Sequence, residues 1–366
     1  MLPRKMRNTL FDKLSGVTMR PFFTPISARN VSGLAAQVLE QSERDFFVNG
    51  TITGHGSCPE LMAGLWSGGR EAALVDDRME AWLKIAMGAA LSQENRCPYC
   101  EDMLLSLTHG AREEHVATGI RTRQEGRIAD PAVRAKLDWA RSAVEASNSG
   151  LKRPLFAEEE LPEAIGTVLV FSYTNKISDF LLDGSPVPAF GRGASLRAFG
   201  TELRESAGLR LEPGASIDLL PPAMQPRDLD WASPSPRIAD CLSRWAQVVD
   251  RYAADVLDPG TIAHVRNRLA VWHGGHPPAS RAWVEADLEG LSGKQRDLAR
   301  IAILVAKASY QIDDKLLQAV VDQGASEADL VKLGAFGAFS GARRVAAWVA
   351  GAAVPEPQIR IAVSAL

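Results

Sequence analysis

Two cysteines separated by two residues, Cys97 and Cys100, are the residues of this chain best suited to do chemistry. Thiols at this spacing can close and reopen a disulfide, and without a secretion signal the spacing favours redox chemistry. Pro98 suits the first turn of a helix, which would place Cys97 near the N-cap and Cys100 in the first turn. Unpaired backbone N–H groups, the positive helix end and the charge of Arg96 then favour a thiolate. The pattern predicts a reactive sulfur at neutral pH.

Two other interpretations of the cysteine pair stay open. Free cysteine is among the most buried residue types, so both side chains could be small apolar members of a core. A zinc site is the other, because His55 and Cys58 together with Cys97 and Cys100 provide three thiolates and one imidazole. The long gap between the two pairs contains a helix of several turns, unlike a compact zinc knuckle. We therefore expect neither a metal nor another cofactor.

The elements around the cysteines have helical patterns. From Met79 to Leu91 apolar residues recur at spacings of three and four, which predicts a helix with one apolar face. Asp130-Pro131 and Pro162 are typical helix starts. Stretches rich in Ala, Leu and Arg dominate the chain, whereas strand-like runs are short and scattered. The sequence therefore predicts an all-α fold.

The length of 366 residues exceeds that of most single domains, so we expect two helical units. We place the first at residues 1–185, a Pro- and Gly-rich connection at 186–236, and the second at 237–366. At one constant offset, residues of the two units match: Gly166 with Gly334, Phe171 with Phe339, Ser172 with Ser340, and Lys176 with Arg344. These matches favour a degenerate duplication in which only the first unit keeps the cysteine pair.

The composition indicates which classes of partner and which cellular location to expect. The net charge is −3 and no block of like charge stands out, so we expect neither nucleic acid nor a membrane surface as partner. No apolar run approaches the length of a membrane helix, and no apolar segment of a signal peptide follows the basic residues 1–7. Four cysteines are too few for a disulfide scaffold in this chain. We expect a cytoplasmic protein with thiols reduced at rest.

The stretch from Leu83 to Ser92, followed by Asn95-Arg96-Cys97-Pro98-Tyr99-Cys100, resembles the signature of the alkylhydroperoxidase D (AhpD)-like and carboxymuconolactone decarboxylase superfamily. The stretch from Pro162 to Pro186 is similar to a later helix of its larger bacterial members. The resemblance covers residues 60–190 well and the second half weakly. It implies an AhpD-like helical bundle that forms a homo-oligomer. It also implies a cysteine pair that reduces hydroperoxides or small disulfides and is restored by a thiol reductant.

The resemblance also implies roles for individual residues. In the peroxidase branch the second cysteine attacks the peroxide and the first resolves the sulfenate, so Cys100 would be the nucleophile and Cys97 the resolver. That branch relays protons through a Glu before the pair and a His after it. Here Ile85 and Leu104 occupy those positions, and neither can take up or release a proton. Losing both groups should slow peroxide turnover by about 10²–10⁴-fold.

Few neighbours in the sequence could replace the missing relay. His109 falls on the opposite helix face from the cysteines. Tyr99, with an ordinary pKa of about 10, is a poor base at neutral pH. Lys84, Glu80 and Glu94 stay open as candidates that only the fold can place, although we expect each to be a solvated surface charge.

The sequence thus predicts a thiol-dependent antioxidant oxidoreductase that works through Cys97 and Cys100. One alternative is a carboxymuconolactone-decarboxylase-like enzyme, which would need a cation such as Lys176 or Arg344 to bind its carboxylate substrate. Another is a degenerate, non-catalytic member of the same fold that acts as a scaffold or redox sensor.

Overall fold

A computed structural model describes residues 16–27 and 30–353. This part of the chain consists of helices and loops without a β-strand, so the prediction of an all-α fold is confirmed. Its two isolated β-bridges join Met19 to Leu182 and Glu145 to Gly274. Within the same ranges no helix combines the length and the apolar character needed to cross a membrane. Residues 1–7, on which the expectation about a secretion signal rests, lie outside the described ranges.

The helices up to the middle of the chain are α1 (Gly33–Asp45), α2 (Gly50–Thr53), α3 (Pro59–Gly69), α4 (Ala81–Glu94), α5 (Pro98–Gly110), α6 (Glu114–Thr122), α7 (Pro131–Ser142) and α8 (Leu161–Leu181). Those that follow are α9 (Arg192–Ala207), α10 (Pro236–Val256), α11 (Pro259–Ala270), α12 (Val284–Asp287), α13 (Gly293–Ala308), α14 (Asp314–Val321) and α15 (Glu327–Ala353). Short 3₁₀ turns occur at Glu125–Arg127, Ser149–Lys152, Ile217–Leu219, Arg227–Ala232, Arg281–Trp283 and Ser309–Gln311. A π-helical turn, Arg70–Leu74, directly continues α3.

The helix starts follow local chemistry. Asp130 caps α7, because its carboxylate accepts hydrogen bonds from the backbone N–H groups of Ala132 and Val133. Pro162 occupies the first turn of α8, where its missing N–H leaves no hydrogen bond unmade. Both starts agree with the sequence pattern.

Helix α4 is buried around most of its circumference rather than on the one face that its periodicity predicts. The side away from the large apolar residues consists mainly of Ala, Gly and Ser, which let neighbouring helices approach. A Cβ at Gly88 would lie only 2.4 Å from the Phe171 ring on α8. This close contact fixes α4 against α8, the two helices that flank the cysteines.

Helices α8 and α15 pack against each other in the centre of the described structure. Gly334 of α15 contacts Phe180 near the end of α8, where a Cβ would lie 2.5 Å from the ring, while the later Phe339 meets the earlier Tyr173. The helices therefore run antiparallel. Trp245 of α10 stacks against Tyr173 and Phe339 with ring centroids 4.6 and 4.5 Å apart. Elements from both halves of the chain thus share one core.

Helix α9 lies inside residues 186–236, the range for which the sequence predicts a Pro- and Gly-rich connection. It packs along α5, the helix that carries Cys100. Arg192 at its start forms ion pairs with Asp102 at 2.7 Å and Glu101 at 3.1 Å. The face of α5 that carries these two carboxylates is therefore covered by α9.

Candidate active site

Cys97 and Cys100 lie where α4 turns into α5. Arg96 adopts a left-handed conformation with φ of 59°, and the Cys97 N–H then donates to the Ser92 carbonyl at 3.1 Å. Cys97 is the N-cap of α5, Pro98 its first residue, and Cys100 lies in the first turn. The predicted placement of the pair is confirmed.

Both thiols are free and almost completely buried, with 1% and 3% of Cys97 and Cys100 exposed. Burial raises the pKa of Cys97 well above its ordinary value, and the hydrogen bond to Cys100 and the negative charge of Asp179 act in the same direction. The prediction of a ready thiolate at the helix start is therefore wrong for Cys97. The Arg96 guanidinium lies 5.1 Å from the centre of the Tyr310 ring, which it covers.

Cys100 has a polar partner of its own on α8. Its Sγ lies 3.3 Å from the Ser178 Oγ and 3.6 Å from the Thr174 carbonyl oxygen. The Ser178 hydroxyl lies in turn 2.7 Å from that of Thr51. This chain of hydroxyls can donate a hydrogen bond to a thiolate at Cys100, which would stabilise its charge.

An apolar cavity opens beside Cys100 and encloses about 700 Å³ of space not filled by atoms, its mouth included. Its wall contains Cys100 and is otherwise mainly apolar, with Leu65, Ala73, Met103, Leu104, Val170 and Phe171 among its residues. Arg70 also reaches the wall, but its guanidinium is bound to Asp45 at 2.8 Å and Glu71 at 2.7 Å. The cavity therefore favours an apolar ligand next to Cys100.

Cys97 faces a carboxyl group instead. The negative charge of Asp179 contributes to the raised pKa of Cys97, and the Ser309 hydroxyl donates a hydrogen bond to the Asp179 carboxylate at 2.7 Å. Burial raises the pKa of Asp179 to about 7, although Ser309, Cys97 and Lys176 oppose the shift. Burial also lowers the pKa of Lys176, one turn earlier on α8, to about 8. The two groups can thus change charge near neutral pH.

A second, more polar cavity of about 430 Å³, its mouth included, lies beside Ser309, which donates the hydrogen bond to this carboxyl group. Ser309 and Lys176 line it, together with Ser172 and Tyr310. The hydroxyl groups of Ser172 and Tyr310 are buried and make no protein hydrogen bond. The dithiol thus lies between an apolar cavity at Cys100 and a polar one that adjoins the partners of Cys97.

Sequence reasoning did not assign Asp179, Ser178 or Ser309 to the site. A signal for Asp179 exists, because Lys176 and Asp179 lie one turn apart on a helix whose other charged residue is Glu163 near its start. Charged residues on such a helix are expected to have a partner or a function. The sequence alone does not show that Ser309 is the hydrogen-bond partner of Asp179.

Lys84, expected as a surface charge, is completely buried, so that prediction is wrong. Its Nζ lies 2.6 Å from the Glu163 carboxylate and 2.6 Å from the Val75 carbonyl oxygen. Glu163 also accepts the backbone N–H groups of Arg78 and Met79. The Lys84–Glu163 ion pair therefore connects α4 with α8 and with the loop before α4.

The remaining candidates make other contacts. Glu80 is exposed and accepts a hydrogen bond from Trp82, while Glu94 pairs with Arg123 at 2.8 Å. His109 is buried at the far end of α5, and burial lowers its pKa. The Tyr99 hydroxyl accepts the Gly50 N–H at 3.1 Å.

The Cys₃His zinc alternative does not match the geometry. His55 binds the Thr51 carbonyl oxygen at 2.7 Å and the Tyr173 hydroxyl at 2.8 Å through its two ring nitrogens. The Cys58 thiol points to the Ala328 carbonyl oxygen at 3.7 Å. Among residues 16–27 and 30–353, no three His, Cys, Asp or Glu side chains gather as metal ligands would.

Comparison with curated proteins finds a relative that extends over nearly the whole chain. The chain is 28% identical over 341 residues to a protein of Mycobacterium tuberculosis named alkyl hydroperoxide reductase, and the match covers 90% of this chain and 94% of that protein. The chain is a relative of the AhpD-like proteins. No family model and no solved structure matches the chain.

In this protein the two positions that the resemblance assigns to the relay lie in apolar surroundings. Ile85, at the position of the family's Glu, is 3% exposed within α4. Leu104, at the position of the family's His, forms part of the apolar cavity wall beside Cys100. The side of the dithiol from which Cys100 is reached therefore has no proton relay at either position.

Proposed function

We propose that this protein is a thiol-dependent oxidoreductase that reduces apolar hydroperoxides through Cys100 and Cys97. The observation that carries the proposal is the position of Cys100, in the first helical turn after Cys97 and in the wall of an apolar cavity. Cys97 is not part of that wall. A hydroperoxide with an apolar tail in the cavity would present its O–O bond to Cys100.

The reaction would have two steps. The Cys100 thiolate attacks the terminal peroxide oxygen, the O–O bond breaks, and the alkoxide leaves as an alcohol after taking up a proton. The resulting sulfenic acid at Cys100 is then attacked by Cys97, which forms the disulfide and releases water. A separate dithiol reductant restores both thiols by exchange.

The decarboxylase alternative has less support from the cavity. Arg70, the cationic residue of its wall, is already paired with Asp45 and Glu71. Lys176 lines the polar cavity, and Arg344 donates to the Trp272 carbonyl oxygen at 2.9 Å. A carboxylate in the apolar cavity would thus lack an uncommitted cation among the described wall residues.

The test is oxidation of the reduced protein with one equivalent of an organic hydroperoxide, followed by intact mass and peptide mapping. We expect rapid loss of two hydrogen atoms between Cys97 and Cys100, abolished by Cys100→Ser. Cys241→Ser is the matched control, because Cys241 is equally buried but contacts the Ile238 carbonyl oxygen and no other thiol. Thiols that survive the treatment unchanged would refute the peroxidase proposal and favour the degenerate member.

Two further proposals concern the working form: the family resemblance supports the assembly, and the small number of cysteines supports the location. We propose that the protein acts in the cytoplasm as a homo-oligomer. Light scattering coupled to size-exclusion chromatography tests the assembly, and a monomeric mass for both reduced and oxidised protein would contradict it.

A further inference from the structure

We propose that the hydroxyl groups of Ser178 and Thr51 carry the thiol proton of Cys100 to the oxygen that leaves in the first step. The inference rests on the proposed function and identifies the source of the proton that this step requires. Neither residue stands at a position that the family resemblance assigns to the relay, since Ile85 and Leu104 occupy those positions. The two hydroxyl groups would replace the relay that is missing there.

The thiol and the two hydroxyl groups form one continuous chain of contacts. Cys100 Sγ lies 3.3 Å from Ser178 Oγ, and Ser178 Oγ lies 2.7 Å from Thr51 Oγ1. All three residues are buried, so bulk water does not compete for these contacts. The Thr174 carbonyl oxygen, 3.6 Å from Cys100 Sγ, is the other acceptor for the thiol, but it has no hydrogen to pass on. Of these two acceptors, Ser178 is therefore the one that can move a proton onward.

The number of hydrogen atoms gives the chain a direction. Each hydroxyl group has one hydrogen to donate. When the Cys100 thiol donates to Ser178, the Ser178 hydrogen is left for Thr51, and the Thr51 hydrogen is left for a further group. Within the described residues the Thr51 hydroxyl has no hydrogen-bond partner besides Ser178. Thr51 belongs to the wall of the apolar cavity, so its hydrogen is available to a molecule that binds there.

Neighbouring contacts hold Thr51 in this position. Thr51 lies in the short helix α2, whose start is capped by the Asn49 side chain. The Gly50 N–H donates to the Tyr99 hydroxyl at 3.1 Å. Because Tyr99 directly precedes Cys100 in α5, α2 is attached to the same helical turn as the thiol. Thr51 is therefore fixed relative to the thiol whose proton it would pass on.

The step balances without an external acid or base. The Cys100 sulfur attacks the terminal peroxide oxygen, the S–O bond forms and the O–O bond breaks. The thiol proton passes to Ser178 as the Ser178 proton passes to Thr51 and the Thr51 proton passes to the leaving oxygen. Sulfur is oxidised and the peroxide is reduced, so the products are a sulfenic acid and an alcohol, and both hydroxyl groups are restored. Without this transfer an alkoxide would be left unpaired in an apolar cavity, which is costly.

The test compares Thr51→Val, which keeps the shape of the side chain without its hydroxyl, with Thr51→Ser, which keeps the hydroxyl without the methyl group. Oxidised Cys100 is measured in a single turnover as the sum of disulfide and dimedone-trapped sulfenic acid. With a four-carbon alkyl hydroperoxide we expect Thr51→Val to react about 10²-fold more slowly than wild type, and Thr51→Ser to stay close to wild type. Thr167→Val is the matched control, because Thr167 on α8 is also buried and its hydroxyl makes no protein hydrogen bond.

A second oxidant separates proton delivery from damage to the cavity. A percarboxylic acid of the same chain length releases a carboxylate, whose conjugate acid has a pKa of about 4, so its leaving group departs without a proton. Thr51→Val should therefore lose much less of its rate with the percarboxylic acid than with the alkyl hydroperoxide. An equal loss with both oxidants, or a loss in Thr51→Ser as large as in Thr51→Val, would overturn the inference.

Ser178→Ala breaks the same chain at its other end and keeps the test decisive if Thr51→Val does not fold. We expect a loss of about 10²-fold or more with the alkyl hydroperoxide, and no further loss when Thr51→Val is added, because members of one chain act as a unit. Ser172→Ala is the matched control on the same helix, because the buried Ser172 hydroxyl makes no protein hydrogen bond. A wild-type rate in Ser178→Ala, or losses that multiply in the double variant, would contradict the relay.

Failure of the proposed function gives a different result. If the thiols of wild type survive both oxidants unchanged, the proposed function fails, and the relay fails with it. If wild type is oxidised by the alkyl hydroperoxide and the variants at Thr51 and Ser178 keep its rate, the relay alone is overturned and the peroxidase proposal stands.

Discussion

The apolar cavity predicts a preference for hydroperoxides with longer alkyl tails. Each methylene group that leaves water for an apolar site contributes about 0.8 kcal/mol, which is roughly a fourfold gain in kcat/KM. A four-carbon tail that enters the cavity fully would gain about 3 kcal/mol over hydrogen peroxide, or roughly 10²-fold. The mainly apolar wall of the cavity beside Cys100 is the surface that such a tail would contact.

The perturbation that tests this reasoning is Ala73→Leu. Ala73 is 1% exposed and belongs to the cavity wall in the π-helical turn after α3. Three added carbon atoms would take the place of up to three methylene groups of the tail. We expect kcat/KM for the four-carbon hydroperoxide to fall by about 2 kcal/mol, roughly thirtyfold, with little change for hydrogen peroxide.

The assay follows disulfide formation under single-turnover conditions with hydrogen peroxide and a series of linear alkyl hydroperoxides. Ala254→Leu is the matched control, because it makes the same chemical change on the exposed surface of α10. A flat dependence of rate on tail length in wild type would refute the assignment of the cavity as the substrate site. An equal loss for all peroxides in Ala73→Leu would indicate a disturbed fold instead.

Two predictions concern stability. Replacing Lys84 by Met takes from the buried Glu163 its cation at 2.6 Å and leaves only Arg237 at 3.5 Å, so we expect the free energy of unfolding in denaturant to fall by about 3 kcal/mol. Thiol oxidation in the folded protein should be unchanged, and altered oxidation would place Lys84 in the site. Burial lowers the pKa of His55 to about 4. The unfolded chain therefore takes up a proton at a higher pH than the folded protein does. Acidification from about pH 6.5 to about pH 4 should lower the free energy of unfolding by about 3 kcal/mol. His55→Gln should lack this part of the pH dependence, and an unchanged profile would contradict the reasoning.

The turn that carries the cysteines could be predicted because its determinants are local. Pro98 fixes the start of α5, and the spacing to Cys97 and Cys100 then follows within one turn. The helix starts at Asp130 and Pro162 are local in the same sense. Capping and the backbone preferences of proline act within a few residues, so the sequence contains them directly.

The environment of the dithiol could not be predicted, because it depends on contacts between distant segments. Asp179 meets Cys97 only when α8 packs beside α5, and Ser309 arrives from the second half of the chain. The same holds for Lys84, which becomes a core ion pair because Glu163 on α8 reaches it. Burial then reverses the expected effect of the helix start on the pKa of Cys97.

The sequence of helix α9 contains a helical periodicity from which this helix could have been predicted. Leu196, Gly200, Leu203 and Ala207 recur at spacings of four and three, which is one narrow face of a helix. The prolines and glycines on both sides of this segment suggested a connection. A narrow face suffices because α9 packs mainly on α5 and leaves its remaining surface polar.

An apolar wall beside Cys100 and a polar proton relay at Leu104 require different surroundings. A histidine in place of Leu104 would stand in the apolar cavity wall, where burial would lower its pKa as it does for His55, and a polar ring there would weaken the binding of an alkyl tail. Polar groups such as Lys176 and Ser309 line a different cavity, of which Cys100 is not a part. A relay histidine at Leu104 and an apolar wall beside Cys100 would therefore compete for the same space.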